Sequence, residues 1–426
     1  MEFSFIHIAD IHLGRPFSDL SELGDKMEVC NQACAKSFNK IINFAIDKKV
    51  DFILVAGDSF DNDEHDISTK LLFRNSLKKL ADNGIKSYVI CGNHDPAELY
   101  KKYYSYFKFE EKYKGVINIT GVTTNDSFEQ FSPLDNVKIN ALSFEKEEND
   151  NPVKKLSEVK INFSDFNIGL IHCDLEKSES KYAPVSKEEL RNLGYDYYAL
   201  GHIHIPEIRE DGVVKIVYAG STQGRTKKET GEHGCYYVKV TDKNITSLEF
   251  IPMDVVRFSL EDIDCSDYEN RLEVFEGISE FVNSFKSEVD LSLLEINLTG
   301  VSKSYQELND CDNLVEEFIS NFGESISKNV GVYKINNNTL PYVNEKDIEQ
   351  DNGIIGIIAN FEDDEFDEIY DNIAKIHDNI YKKLGIDDES KEFLLKSLEK
   401  DKNEIKEKAK KELKSLCNEV YSIEKI

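Results

Sequence analysis

The sequence predicts an α/β fold, and three observations carry that expectation. Short apolar runs ending in a glycine or an acid recur through the first half of the chain. Between them lie stretches whose apolar residues fall at helical spacing, and this alternation puts strands between helix layers. The length, 426 residues, is enough for two or three domains with substantial cores. A composition that is 40% hydrophobic and 31% charged suits a soluble globular protein.

Each element follows in order. SFIHIAD (4–10) reads as a strand and residues 26–48 as a helix; DFILVAGD (51–58) is a buried strand ending in Gly-Asp. Residues 66–83 repeat apolar positions at helical spacing, and KSYVICGNHD (86–95) is a strand and turn. VKINALSF (137–144) reads as another strand, whereas EKEENDNPVKK (145–155) reads as an exposed loop. INFSDFNIGLIHCD (161–174) and LGYDYYALGHIH (193–204) are two further strand-and-turn units. VVKIVYAGS (213–221) and GCYYVKV (234–240) close the region with a more antiparallel look.

From about residue 251 the texture changes. A helix over 270–286, a strand over 291–300, a helix over 304–321 and a strand over 329–335 suggest a small α+β domain. In the tail, Leu394, Leu398, Ile405, Ala409, Leu413, Leu416, Val420 and Ile423 mark an amphipathic helix. It either packs on the body or docks onto a partner's helices. The domain expectation is therefore 1–250, 251–345 and 346–426.

The net charge of −29 argues by itself against nucleic acid, because phosphate binding needs Lys and Arg. The acid is unevenly placed: residues 1–250 carry −8 and residues 251–426 carry −21, so global charge does not decide the partner. The run FEDDEFDEIYD (361–371) has a plain reading as a solvated face. Cys30, Cys34, Cys91, Cys173, Cys235, Cys265, Cys311 and Cys417 include no CxxC pair and read as reduced thiols. No run of about 18 uncharged apolar residues suggests a membrane span, and MEFSFIHIAD has no signal-peptide pattern, so a cytoplasmic location is expected.

The strands of the first half end in turns loaded with metal-capable side chains. These are Asp10-Ile11-His12, Gly57-Asp58, Gly92-Asn93-His94-Asp95, His172, and Gly201-His202-Ile203-His204. Singly, each has a plainer reading: a polar turn, a strand exit, a helix cap, a core histidine. Together they hold five of the nine histidines, and strand carboxyl ends in an α/β sheet open on one crevice. Imidazole beside carboxylate and an amide oxygen suits borderline divalent ions, manganese, iron or zinc rather than calcium. The glycines are expected to let the backbone turn sharply.

This ordered set resembles the calcineurin-like metallophosphoesterases over roughly residues 1–240. The segments IADIHLGRPF, VAGDSFD, CGNHDP, GYDYYALGHIHIPE and YAGSTQGRTKKETGEHGCYYV are similar to the SbcD-type DNA repair exonucleases, with the last closest to a YhaO-like branch. The resemblance implies a four-layer α/β/β/α sandwich, a capping domain and a C-terminal helical segment. It implies two divalent metal ions, manganese foremost. His202, Asn93 and His172 would hold one ion, His204, Asp10 and His12 the other, with Asp58 bridging. His94 would stand beside the site as general acid or transition-state stabiliser. Some relatives carry a second free histidine where this chain has Asp61, which either orients His94 or finishes the strand.

The implied activity is metal-dependent DNA exonuclease or endonuclease cleavage in repair. The implied partners are DNA, an SbcC-like SMC coiled-coil ATPase docked on the C-terminal helix, and a second copy of the chain. Arg15, Arg225, Lys227 and Lys228 are the candidate DNA contacts. The alternatives are a phosphoesterase acting on a small nucleotide or phosphoprotein, and a non-catalytic scaffold protein.

Overall fold

A computed structural model describes residues 1–342, excepting 18–19, 62–66, 103–106, 125, 147–150 and 212. The tail helix and the acidic run at 361–371 lie outside the described residues, as does the 346–426 region.

Two six-stranded sheets form the first part of the chain. The first uses β1 (Glu2–Ile8), β2 (Phe52–Ala56), β3 (Lys86–Ile90), β4 (Ile117–Ile119), β11 (Gly234–Thr241) and β12 (Asn244–Pro252), in the order β12-β11-β1-β2-β3-β4. The second uses β5 (Phe128–Leu134), β6 (Val137–Leu142), β7 (Phe166–His172), β8 (Tyr197–Gly201), β9 (Glu207–Asp211) and β10 (Val214–Tyr218), in the order β5-β6-β7-β8-β10-β9. β1 to β4 run parallel to one another, as do β6, β7, β8 and β10. Antiparallel pairing is confined to β5–β6, β9–β10, β1–β11 and β11–β12 in these sheets.

The helices are α1 (Met27–Lys48), α2 (Ile67–Asp82), α3 (Ala97–Lys102), α4 (Val153–Ser157) and α5 (Lys187–Asn192). Strand periodicity sets the layers. On β2, Phe52, Leu54 and Ala56 face the other sheet, while Ile53 and Val55 face the helices. Phe38, Ile41 and Ala45 of α1 and Phe73, Leu77 and Leu80 of α2 cover that outer face. Between the sheets, Phe3, Phe5, Phe52 and Tyr88 meet Ile139, Phe166, Ile168 and Tyr197. Beyond the second sheet, Leu156 of α4 and Leu190 of α5 pack on Ile171, Tyr198 and Ile216. The result is the expected α/β/β/α layering, with each buried aromatic or aliphatic side chain contributing about 1.5–3 kcal/mol.

Downstream come β13 (Val256–Asp264), α6 (Arg271–Ser284), β14 (Leu291–Thr299), β15 (Val301–Ser302), α7 (Tyr305–Asn309), α8 (Leu314–Phe322), β16 (Val330–Asn337) and β17 (Leu340–Pro341). β13, β14 and β16 form a three-stranded sheet with β14 central. The chain divides into two compact units: Met1–Leu260 with Val282–Glu295 and Ser325–Tyr333, and Glu261–Phe281 with Ile296–Glu324 and the segment from Lys334. In the second unit Phe275 packs edge-on against Phe318 at 5.7 Å.

Two expectations need correction. The single helix over 304–321 is two, because Asn313 adopts extended backbone and its side chain accepts from Glu316 N, starting α8 afresh. The stretch 145–155 is not wholly a loop, since α4 begins at Val153. Among the described residues no cysteine is paired, and all but Cys311 are buried. No described helix is long and apolar enough to cross a membrane.

Candidate metal centre

The parallel strands β1, β2 and β3 of one sheet and β7 and β8 of the other bring their carboxyl ends to a shared seam. The turn after β1 runs along the turn after β2: Asp10 N donates to Gly57 O at 3.1 Å and His12 N to Asp58 O at 3.0 Å. Across the sheets, His172 Nδ1 donates to Ala56 O at 2.9 Å, and His202 N donates to the Asp10 carboxylate at 3.1 Å. Four of the turn residues sit at positive φ: Asp10 at +50°, His12 at +46°, Asp58 at +50° and His202 at +99°. Such backbone costs on the order of 1–3 kcal/mol per residue and persists where surrounding structure enforces it.

The glycines answer mainly to space rather than to turning. Gly57 does adopt φ +89°, but Gly92 and Gly201 are not among the positive-φ residues. A Cβ on Gly92 would lie 2.2 Å from Asp58 Oδ1, and one on Gly201 1.9 Å from Ala56 O and 2.8 Å from His172 Nδ1. Each glycine leaves room for a neighbour's functional atom.

The seven side chains converge. The ligand atoms of Asp10, His12 and His204 lie within 4.8 Å of one another, and so do those of Asp10, Asp58 and His172. Asn93 Oδ1 is 2.9 Å from His172 Nε2 and 3.0 Å from His202 Nδ1. Asp58 Oδ2 reaches both sets, 3.8 Å from His12 Nε2 and 3.5 Å from His172 Nε2. Burial pushes Asp10 upward and drives His12 down to about 3, where Arg225 adds to the effect. Burial and His172 together lower His202 to about 4. Burial opposes ionisation of Asp58, but His172, His12 and His94 outweigh it and hold its pKa below the usual range.

The donor set fits cations. Ala56 O only accepts, so in the neutral ring the His172 proton sits on Nδ1 and the Nε2 lone pair confronts Asn93 Oδ1, another acceptor. His12 Nε2 and His204 Nε2 face each other at 3.2 Å, while the far nitrogen of His204 faces the Glu229 carboxylate. An acceptor aimed at an acceptor at His172 and Asn93, with two buried carboxylates beside them, suits positive charge between them.

Beside this cluster, His94 Nδ1 lies 2.7 Å from Asp61 Oδ1, and Asp61 Oδ2 pairs with Arg15 Nε at 2.8 Å. Asp61 raises the His94 pKa, and the His94 side chain is 33% exposed where those of His12 and His172 are closed off. Of the basic residues, Lys227 and Lys228 are exposed. Arg225 is not at the surface: it is 3% exposed, and its Nε and Nη1 have no hydrogen-bond partner among the described residues.

Sequence reasoning assigned no role to three carboxylates. Asp95 accepts from Gly92 N at 2.8 Å, Asp58 N at 3.1 Å and Ser59 N at 2.7 Å, bracing two turns against each other. Burial and the neighbouring Asp58 push it up to about 8. Its place within Gly-Asn-His-Asp was the available signal. Glu229 and Asp174 stand behind His204 and His202.

Residues 3–206 match the family described as calcineurin-like phosphoesterase, which uses two divalent metals. The chain is 27% identical to "Uncharacterized metallophosphoesterase YhaO" of Bacillus subtilis, over 71% of this chain and 73% of that protein. It is 21% identical to "DNA double-strand break repair protein Mre11" of Methanopyrus kandleri, over 73% of this chain and 71% of that one. A shorter match, 35% identical over 21% of each chain, links it to the SbcD component of the nuclease SbcCD of Bacillus subtilis. A dimetal phosphatase structure from Danio rerio aligns over 59% of this chain and 97% of that one, at 12% identity and a TM-score of 0.37. The family match over residues 3–206, with the YhaO, Mre11 and SbcD relatives, shows that the chain carries a calcineurin-like metallophosphoesterase domain.

Proposed function

We propose that this chain is a two-metal-dependent DNA nuclease, hydrolysing phosphodiester bonds in repair together with an SMC-like coiled-coil ATPase. The observation that carries the reading is the seam of seven convergent side chains with His94 held beside it by Asp61. Relatives named for Mre11 and for the nuclease SbcCD support DNA as the substrate. Asp10, His12 and His204 would hold one ion and Asn93, His172 and His202 the other, with Asp58 between, and manganese suits this thiolate-free donor set. Bound there, the ions would supply Lewis acidity and an activated water.

The remaining chemistry belongs to the chain. His94, its pKa raised by Asp61, presents a partly exposed ring to the leaving ester oxygen as the candidate proton donor. Asp61 is a positioning residue for His94, and Arg15 fixes its second oxygen. Lys227 and Lys228 are free to meet a phosphate backbone, a role that the buried Arg225 does not fill. The ATPase contact is assigned to the C-terminal apolar stripe, and a second copy of the chain completes the assembly.

The test is nucleotide release from linear duplex and single-stranded DNA with manganese, beside His94→Ala. Release by the native chain that falls at least about 100-fold in the variant supports the nuclease. The net charge of −29 favours a second reading, a small phosphodiester substrate. Silence on DNA with cleavage of bis(p-nitrophenyl) phosphate would move the assignment there. Silence on both substrates would favour a non-catalytic scaffold.

A further inference from the structure

His202 and His204 each aim one ring nitrogen into the metal centre and the other at a buried carboxylate outside the five metal-bearing turns. His204 Nε2 faces His12 Nε2 at 3.2 Å, and its Nδ1 donates to Glu229 Oε1. His202 does the reverse, with Nδ1 3.0 Å from Asn93 Oδ1 and Nε2 3.3 Å from Asp174 Oδ2. A carboxylate only accepts, so His204 Nδ1 carries the proton towards Glu229, while His202 Nε2 lies at ion-pair distance from Asp174. In each neutral ring protonated on that side, the opposite nitrogen keeps its lone pair for the centre.

Both carboxylates are themselves fixed. Glu229, 7% exposed, accepts from Arg225 N at 2.7 Å and Thr226 N at 3.0 Å through Oε2, leaving Oε1 for the imidazole. Asp174, 4% exposed, takes Ser180 Oγ at 2.5 Å on Oδ2, and Lys177 Nζ lies 2.8 Å from its Oδ1. The two stand on separate loops, Asp174 just after β7 and Glu229 just before β11. Altering one leaves the other's loop untouched.

Resting on the two-metal reading above, we propose that Glu229 and Asp174 are positioning residues, one for each metal position. Glu229 sets His204 for the ion shared with Asp10 and His12. Asp174 sets His202 for the ion shared with Asn93 and His172. Each fixes the tautomer and ring angle of its histidine and makes the ligating nitrogen more basic.

Manganese and cobalt(II) titrated into the full chain by calorimetry and visible absorption test this, comparing native protein with Glu229→Gln and Asp174→Asn. The native chain should take up two ions. Each variant should weaken one binding step by about 10–100-fold, leave the other intact and alter the cobalt(II) bands of one ion only. Glutamine keeps an acceptor for Arg225 N and Thr226 N, so the metal-free melting midpoint serves as the folding check. Should Glu229→Gln fail that check, Glu229→Asp and Asp174→Asn carry the test. Two ions bound natively with both steps unchanged in the folded variants overturns this inference alone. Both steps weakened equally by either single change overturns the pairing of one carboxylate with one ion. No ion bound by the native chain overturns the two-metal reading instead.

Discussion

Gly201→Ala offers the sharpest test of why the centre is built where the sheets meet. Gly201 ends β8, pairs in register with His172 and is buried. A Cβ there would lie 1.9 Å from Ala56 O, the atom that accepts the His172 Nδ1 proton at 2.9 Å. To bring that contact even to 3.0 Å, backbone must retreat by at least about 1.1 Å. Neither partner is a flexible side-chain end, so the strain falls on the junction between β2 and β8. Overpacking of this kind costs about 1–3 kcal/mol, sometimes more. At roughly 3 kcal/mol the melting midpoint falls by roughly 6–12 °C for a domain of this size. Displacing His172 and His202 relative to Asp58 should also weaken metal binding by about 10–100-fold. Circular dichroism melts in EDTA and manganese calorimetry read the two effects separately. Gly84→Ala, at φ +79° with nothing within 4 Å, is the control for backbone conformation alone. It should cost about 1–2 kcal/mol and leave metal binding as it is. A Gly201→Ala protein that melts within a degree of native and binds two ions normally would refute the spatial argument.

Asp95→Asn should destabilise the fold by about 2–3 kcal/mol in urea denaturation, because an amide NH₂ must face backbone N–H donors that Asp95 now accepts from. An unchanged midpoint would show that the brace contributes nothing. His7, fully buried with Nδ1 3.0 Å from Tyr197 OH, is held down to about 3 by burial, against an ordinary value of 6.5. The native state therefore keeps it neutral, and its share of stability is complete above pH 6.5 and lost as pH falls towards 3. Each pH unit in that window costs up to about 1.4 kcal/mol. His7→Leu in EDTA should make the stability profile less steep between pH 6.5 and 4.5, with His12 and His202 keeping the remaining slope, and a parallel profile would exclude a contribution from His7. Manganese at about 100 times its Kd should stabilise the chain by about 2.7 kcal/mol relative to EDTA. Equal melting midpoints with and without the metal would contradict the fit of the donor set.

How legible each feature was in the sequence follows from the range of the interaction behind it. The buried strands announced themselves because β2 and β3 are apolar on both faces, and all seven convergent side chains follow such runs within a few residues. Asp95, Glu229 and Asp174 act at a distance. Asp95 reaches Asp58 N across 37 residues, and Glu229 reaches His204 across 25. One carboxylate among 81 acidic residues carries no local mark of that partnership. The short helices were hidden for a different reason, since five or six residues are too few to show a period. α5 nonetheless carried a readable signal, the capping box of Ser186 with Glu189. The burial of Arg225 was not readable either, because its neighbours Lys227 and Lys228 in the same segment are exposed.

The resemblance located the ligands, but the physics of the site lies in what the protein tolerates to hold them. Asp10, His12, Asp58 and His202 sit in backbone that L-residues rarely adopt. In the neutral His172 ring, the Nε2 lone pair is directed at Asn93 Oδ1, another acceptor. Each feature alone opposes folding, and a sequence selected only for stability would shed them. They persist because the surrounding packing is rigid: the glycines leave no slack, Asp95 ties two turns together, and the inter-sheet core of Phe3, Phe5, Phe52 and Tyr197 holds the seam shut. Strain held by a rigid scaffold is a pre-organised binding site, since the ligands need not be gathered when an ion arrives. By the same reasoning, changes that relax the scaffold should raise metal-free stability only by giving up metal affinity, whereas changes to a ligand give up affinity and relieve the acceptor conflict together. His172→Ala illustrates the second case: it removes the nitrogen that opposes Asn93 Oδ1, at the expense of a well-filled buried space.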